Sequence, residues 1–378
     1  MNSSNIRFPT WAEVDLKAVA HNFREIQRLA GPRTEILPVV KGDAYGHGMI
    51  AVARLLNKRG VNFFGVSDIA EAIELRSHGI TKNILLFEST LPSDTRKIVQ
   101  YHLTPTICTL ELAAALNRWA RKSHQPIDIH VEVDTGMGRL GVWHKDAGEF
   151  IAQLMRFPNL SIKGIYTHFP AAETDRRFTE NQVKNLYNLV TSLDKQGLIV
   201  PYIHAANSMG VCGYKTRILN LARPGLMLYG LYPTQELRSR IHLKPVLSIK
   251  SKIMLVKKVT KGRSISYGRT FIAAKDMTVA TLAIGYRDGY LRALSNKSSV
   301  IVGGQRCPVV GRVTMDQMMV DVSKVRSVKL GSTAIILGKE GKVSVSAEEL
   351  ADWAGTISYE IVCNLGSRLP RVYQSQRK

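Results

Sequence analysis

The sequence predicts a (β/α)8 TIM barrel followed by a mostly antiparallel β domain. Three observations carry this. Short β-rich runs alternate with helical patterns through the first two thirds of the chain. The alternation stops near Leu243, after which strand-like runs follow one another directly. The 378 residues exceed one ordinary compact domain and suit a barrel plus a second unit.

The eight β-rich runs are 36–41, 62–66, 84–88, 104–108, 128–134, 162–168, 202–206 and 222–228. Between them, Met49, Val52, Ala53 and Leu56 recur at helical spacing ahead of Gly60, a C-cap signal. Asp68 is placed to cap the helical segment IAEAIELRSHG, which stops at Gly79. Residues 180–197 hold another helix, with Val183, Leu186, Leu189 and Val190 on its apolar stripe. An open doubly wound sheet is the alternative, but no GxGxxG follows the first strand. Beyond residue 243 come SIKSKIMLVKKV, TVATLAIGY, SSVIVGG, CPVVGRV, QMMVDVS and STAIILG, then one helix in SAEELADWAG. The expected domains are a barrel over 1–243 and a β domain over 244–378. About the first 12 residues are expected to pack with the second.

Composition is that of a globular protein, 45% hydrophobic and 22% charged. No apolar run approaches the ~20 residues that span a bilayer. The start, MNSSNIRFPTWAEVDL, lacks an apolar h-region behind a basic one, so a cytoplasmic protein is expected. Cys108, Cys212, Cys307 and Cys363 are far apart with no CxxC pair, which argues for buried or inert thiols and against a zinc site or disulfides. The net charge of +22 concentrates in 244–263 and in the 368–378 tail. Without a nucleic-acid motif, this reads as a solvated basic face.

A barrel of this kind carries its chemistry at the C-terminal ends of the strands. Lys41 stands at the end of the first. The apolar run before it buries its stem, and a desolvated lysine becomes a usable amine nucleophile. Arg139 follows the fifth strand, His168 ends the sixth, Asn207 and Ser208 follow the seventh, and Arg223 with Gly225 marks the eighth. The last two loops are the usual phosphate site of the fold. There Ser208 offers a hydroxyl, and Gly225 lets backbone N–H groups approach an anion.

At this point ten segments resemble the alanine racemase family over almost the whole chain: WAEVDL, VVKGDAYGHG, VDTGMGRLG, YTHF, HAANS, ARPGLMLYGL, SYGRTF, IGYRDGY, GRVTMDQ and ISYEIVC. VVKGDAYGHG and VDTGMGRLG in this order and spacing are the specific pair. The resemblance implies a cytoplasmic homodimer with shared active sites, pyridoxal 5'-phosphate as cofactor, alanine as substrate and D-alanine for peptidoglycan. It implies that Lys41 holds the cofactor as an imine. Tyr45, Ser208 and Tyr359 would bind the phosphate by side chain and Gly225 and Leu226 by backbone, beside Asn207. Arg223 would face the pyridine nitrogen, supported by His204, and Arg139 would bond the phenolic oxygen. His168 would support the second base, Tyr267, which comes from the partner subunit with Met315 and Asp316 beside the substrate and Tyr286 at the entrance. No metal, membrane or nucleic-acid partner is implied.

Two bases on opposite faces of one carbon can racemise it directly, and Lys41 and Tyr267 suit that role. A broad-specificity or serine racemase of the same fold is the alternative, because side chains one methylene apart differ by only ~1–3 kcal/mol. A related basic amino-acid decarboxylase would need an acidic residue where Arg223 stands. A cofactor carrier would lack the β domain with Tyr267. Glu132 departs from the family, many of whose members carry a carbamylated lysine there. A ready-made carboxylate predicts a direct Glu132–Arg139 pair. Gly42 and Thr314 replace the commoner Ala and Cys.

Overall fold

The computed structural model describes residues 8–214 and 216–374. The basic tail beyond Gln374 therefore lies outside the described residues. The chain divides into two compact units. One comprises Ala20–Ala44 and Met49–Leu243. The other comprises the described residues through Val19, the short piece Tyr45–Gly48, and the described residues from Lys244 on.

The first unit is a closed parallel barrel with helices outside. Its strands run over Glu35–Ile36, Phe63–Val66, Asn83–Ser89, Thr104–Ile107, Ile127–Asp134, Leu160–Tyr166, Tyr202–His204 and Leu221–Ala222. Neighbouring strands pair in parallel from Phe63–Val66 round to Tyr202–His204. The ring closes through Leu221↔Glu35, the Val39↔Gly65 bridge, and the bond from the Arg223 N–H to the Ala206 carbonyl at 2.8 Å. Phe63–Val66, Thr104–Ile107 and most of Ile127–Asp134 are continuously buried, as a sheet covered on both faces requires. Asp68 caps Ile69–Ser77 by accepting the Glu71 N–H, and Asp175 caps Arg176–Lys195 through Phe178.

Two local expectations change. The run 222–228 is a strand only at Leu221–Ala222, because Pro224 has no N–H for a ladder; Leu226–Tyr229 instead coils into a 3-10 turn closed by Gly230 at φ 79°. The run 36–41 is a strand only at Glu35–Ile36 with a bridge at Val39, and a helical turn begins at Lys41. Gly42, Asp43, Ala44, Tyr45 and Gly46 have φ of 62°, 53°, 55°, 55° and 78°, so Lys41–Gly46 is a turn of left-handed helix. Non-glycine residues hold that conformation at roughly 1–2 kcal/mol each, a cost that packing elsewhere must offset.

The second unit is built on the long strand Leu247–Val259. It pairs antiparallel with Thr10–Asp15, Thr333–Glu340 and Met277–Leu282. Thr10–Asp15 pairs in parallel with Arg371–Gln374 on its other side. Trp11, Ile253, Val279 and Ile336 are buried in this unit. Helix Ala347–Ala354 opens with a capping box in which Ser346 and Glu349 satisfy each other's backbone N–H.

The cysteines are free thiols, but not uniformly buried: Cys212 and Cys307 are buried, Cys108 is half-buried and Cys363 is exposed. Among the described residues no helix is long and apolar enough to cross a membrane.

Candidate active site

The barrel unit gathers a chain of nitrogen atoms around Arg223. The guanidinium is buried, and desolvation pulls it down to about 10, which leaves it charged at neutral pH. It donates to His204 Nδ1 at 2.7 Å, to the Thr167 carbonyl at 2.8 Å and to the Ala205 carbonyl at 3.3 Å, and it lies 3.4 Å from His168 Nδ1.

Arginine can only donate, and this fixes every tautomer that follows. His204 Nδ1 must accept, so its proton sits on Nε2, 2.9 Å from His130 Nδ1. His130 Nδ1 then accepts, and its own proton sits on Nε2, a buried atom without a partner among the described residues. His168 likewise accepts on Nδ1 and keeps Nε2–H as a donor. Burial is the main force holding these rings neutral. It pushes His130 down to about 3, helped by Arg223, and His168 to about 3, helped by Arg223, Arg139 and Lys41. His204 lies well below its ordinary range for the same reason. A Cβ on Gly164 would fall 2.4 Å from His130 Nδ1, so only glycine leaves room for that ring.

A stability prediction follows. A histidine held neutral in the fold but free to charge when unfolded costs nothing above about pH 6.5 and destabilises by ~1.4 kcal/mol per pH unit as the pH falls below it. Glu71 and Glu132, whose carboxyls burial raises, act in the opposite sense. Comparing wild type with His130→Gln isolates one ring. Between neutral pH and about pH 5, unfolding free energy from urea melts should fall less steeply in the variant, by ~1.4 kcal/mol per pH unit. Parallel pH dependences for the two proteins would contradict a neutral His130.

Lys41 is set by its neighbours on both sides. Leu37 and Val40 before it are fully buried. After it, the Gly42 N–H is held at 2.6 Å by one oxygen of Glu71, whose other oxygen accepts from Ser67 at 2.8 Å. Glu71 thus clamps the turn that carries Lys41, a role that sequence reading missed because the residue counts there as part of a helix. Arg139 is exposed in a loop organised by Asp134, which accepts the N–H groups of Gly136, Met137 and Gly138.

The Ser208 and Gly225 loops meet as expected for a small anion cradle. Ser208 Oγ accepts from Gly225 at 3.2 Å and Met227 at 3.3 Å, so its own proton is left to donate. Asn207 spends its side-chain oxygen on the Gly210 N–H, and Leu226 opens the adjacent 3-10 turn.

Glu132 corrects an expectation. Among the described residues no ion pair joins it to Arg139. The Gly-rich loop after Asp134 carries Arg139 away from the strand, while register places Tyr166 directly beside Glu132, with its hydroxyl 3.1 Å from Oε2.

The β unit holds the other candidates. Tyr45 and Tyr359 approach with ring centroids 6.0 Å apart, and burial lifts the Tyr45 hydroxyl well above the ordinary phenol range. Tyr267 is 71% exposed on a tight turn, next to Ser266, which donates to the Arg312 carbonyl. Tyr286, Met315 and Asp316 are brought together. The N–H of Tyr286 donates to Thr314 and that of Arg287 to Met315, an approach so close that a Cβ on Gly285 would sit 2.2 Å from the Thr314 carbonyl. Arg368 locks both loops, pairing with buried Asp288 and with Asp316 at 2.8 Å each. Nothing in the local sequence marks Arg368 for this.

Comparison with known proteins gives the same outline. The family models described as "Alanine racemase, N-terminal domain" and "Alanine racemase, C-terminal domain" match residues 14–233 and 246–373. The chain is 41% identical to an alanine racemase of Carboxydothermus hydrogenoformans, over 97% of this chain and 99% of that one. Its fold is similar to the solved alanine racemase of Clostridium difficile 630, with a TM-score of 0.93 and 36% identity over 98% and 97% of the chains. The Bacillus anthracis alanine racemase with bound L-Ala-P matches with a TM-score of 0.92 and 34% identity over 99% and 97%.

Proposed function

The chain belongs to the alanine racemase family, and from that premise we propose that it interconverts L- and D-alanine with pyridoxal 5'-phosphate, as a homodimer whose active sites combine residues of both subunits. The observation that carries this is the set of donors at the C-terminal ends of the barrel strands. Lys41, Arg223, Arg139, the Nε2–H of His168 and the Ser208 hydroxyl together offer an amine and an electropositive surface that fit an aldehyde bearing a phosphate. Bound there, the cofactor supplies the carbonyl for Lys41 and an electron sink for the substrate.

The residues of this chain do the rest. Lys41 anchors the cofactor and exchanges a proton at the substrate α-carbon from one face. Tyr267 of the partner subunit exchanges it from the other. A phenol near ~10 needs help to act as a base at neutral pH. Neutral His168, with Nε2–H as donor, gives that help by stabilising the phenolate. Arg223, which cannot accept a proton, would leave a pyridine nitrogen placed beside it unprotonated. Ser208, Asn207, Gly225 and Leu226 would hold the phosphate. Met315, Asp316 and Tyr286 of the partner shape the substrate pocket. The product serves peptidoglycan, and the enzyme works in the cytoplasm.

The test is a panel of L-amino acids scored for inversion of configuration. L-alanine should give D-alanine at the highest kcat/KM, without CO2 release. Equal inversion of L-serine would favour the broad-specificity reading, and CO2 release or an inert yellow protein would reject racemisation.

A further inference from the structure

Three oxygen-to-oxygen contacts run across adjacent barrel strands from Glu132. Glu132 Oε2 lies 3.1 Å from the Tyr166 hydroxyl, which lies 2.8 Å from Thr106 Oγ1, which lies 2.7 Å from the Leu86 carbonyl oxygen. The three side chains are buried.

Three hydrogen bonds need three protons. The Leu86 carbonyl can only accept, so Thr106 donates to it. Thr106 then accepts from Tyr166, and this uses the one proton Tyr166 has. Nothing remains to join Tyr166 to Glu132 unless the carboxyl brings its own. With an ionised Glu132, one of the three contacts would set two oxygens face to face with no proton between them, in a buried place where an unmade bond costs ~1–3 kcal/mol.

The lengths agree with this count. A hydroxyl donating to a carboxylate gives ~2.5–2.7 Å, yet the contact to Glu132 is the longest of the three at 3.1 Å. Arg223 and Arg139 favour the anion, but among the described residues neither reaches ion-pair distance. Asp134 opposes it and burial opposes it more strongly; a Tyr166 hydrogen bond would favour it, but the Tyr166 proton is spent on Thr106.

We propose that Glu132 is held as a neutral carboxylic acid whose proton closes the chain to Leu86, and that it serves racemisation as a positioning residue for Tyr166. The Tyr166 ring is the plate against which Arg223 and His204 lie. The Arg223 guanidinium sits 5.0 Å from its centroid, and the His204 ring stacks on it at 4.7 Å and 13°. Anchoring the hydroxyl through its proton and one lone pair fixes the ring and, through it, Arg223. A neutral Glu132 also leaves the charge of Arg223 unopposed. That last consequence rests on the placement of Arg223 beside the cofactor, whereas the protonation of Glu132 does not.

Infrared difference spectra of the holoenzyme test the proton itself. Wild type minus Glu132→Gln at neutral pH should show the carbonyl stretch of one protonated carboxyl. Thr106→Val supplies an independent arm. It removes the acceptor that uses the Tyr166 proton, so Tyr166 becomes free to donate to a carboxylate, and the band should vanish at lower pH than in wild type. A merely structural role for Glu132 predicts no such shift. Glu132→Gln retains an N–H donor toward Tyr166 and should keep kcat/KM within about threefold, as a bond exchanged like for like allows. A wild-type spectrum without the band, a band unmoved by Thr106→Val, or a loss above about tenfold in the Gln variant would overturn the proposal. A racemase reading that failed on substrate tests would leave the infrared result untouched.

Discussion

Replacing Lys41 by alanine should lower racemisation by at least about a thousandfold, because the substitution removes the anchor and one of the two bases at once. Borohydride should fix the cofactor to wild type at Lys41 and fail to fix it to the variant. Stability should change little, since the side chain is only partly buried and Glu71 holds the turn that follows through the Gly42 backbone. The expense of that turn, a left-handed helical segment with three non-glycine residues, makes sense if the amine must be aimed. Retention of more than about a tenth of the wild-type rate by a folded Lys41→Ala protein would remove Lys41 from the chemistry.

The second large effect concerns Tyr267. Tyr267→Phe should be almost inactive by itself. Mixed with Lys41→Ala under conditions of subunit exchange, it should recover activity. A site built from Lys41 of one subunit and Tyr267 of the other is intact once in each mixed dimer, and random pairing makes about half of all dimers mixed, so about a quarter of the wild-type specific activity should return. The exposure of Tyr267, 71% in a chain described alone, is what a residue reaching toward another subunit requires. No recovery despite demonstrated exchange would show that each site is complete within one chain.

Much of the fold could be read directly. Barrel strands buried on both faces leave continuous Val/Ile/Leu runs, and the helix caps at Asp68 and Ser346 obey local rules. Lys41, His168, Ser208 and Arg223 could be named as candidates because strand ends are where this fold does chemistry. Other features could not. Glu71 looked like an ordinary helix residue. Arg368 looked like part of a basic tail, yet it joins Asp288 and Asp316 from two other loops. The pairing of Glu132 with Arg139 was expected because Glu132 stands where many family members carry a carbamylated lysine, but the partner within reach is Tyr166 on the neighbouring strand.

The sequence by itself determined most of the helices and strands of the barrel and the family to which the chain belongs. Those depend on periodicity, caps and motifs, which act over a few residues at a time. The tertiary structure decided where protons and charges reside. The neutral state of His168, the tautomers imposed by Arg223 and the partner of Glu132 all depend on burial and on neighbours contributed by other strands. Those neighbours are tens of residues away along the chain, and only the closed barrel brings them within hydrogen-bond distance.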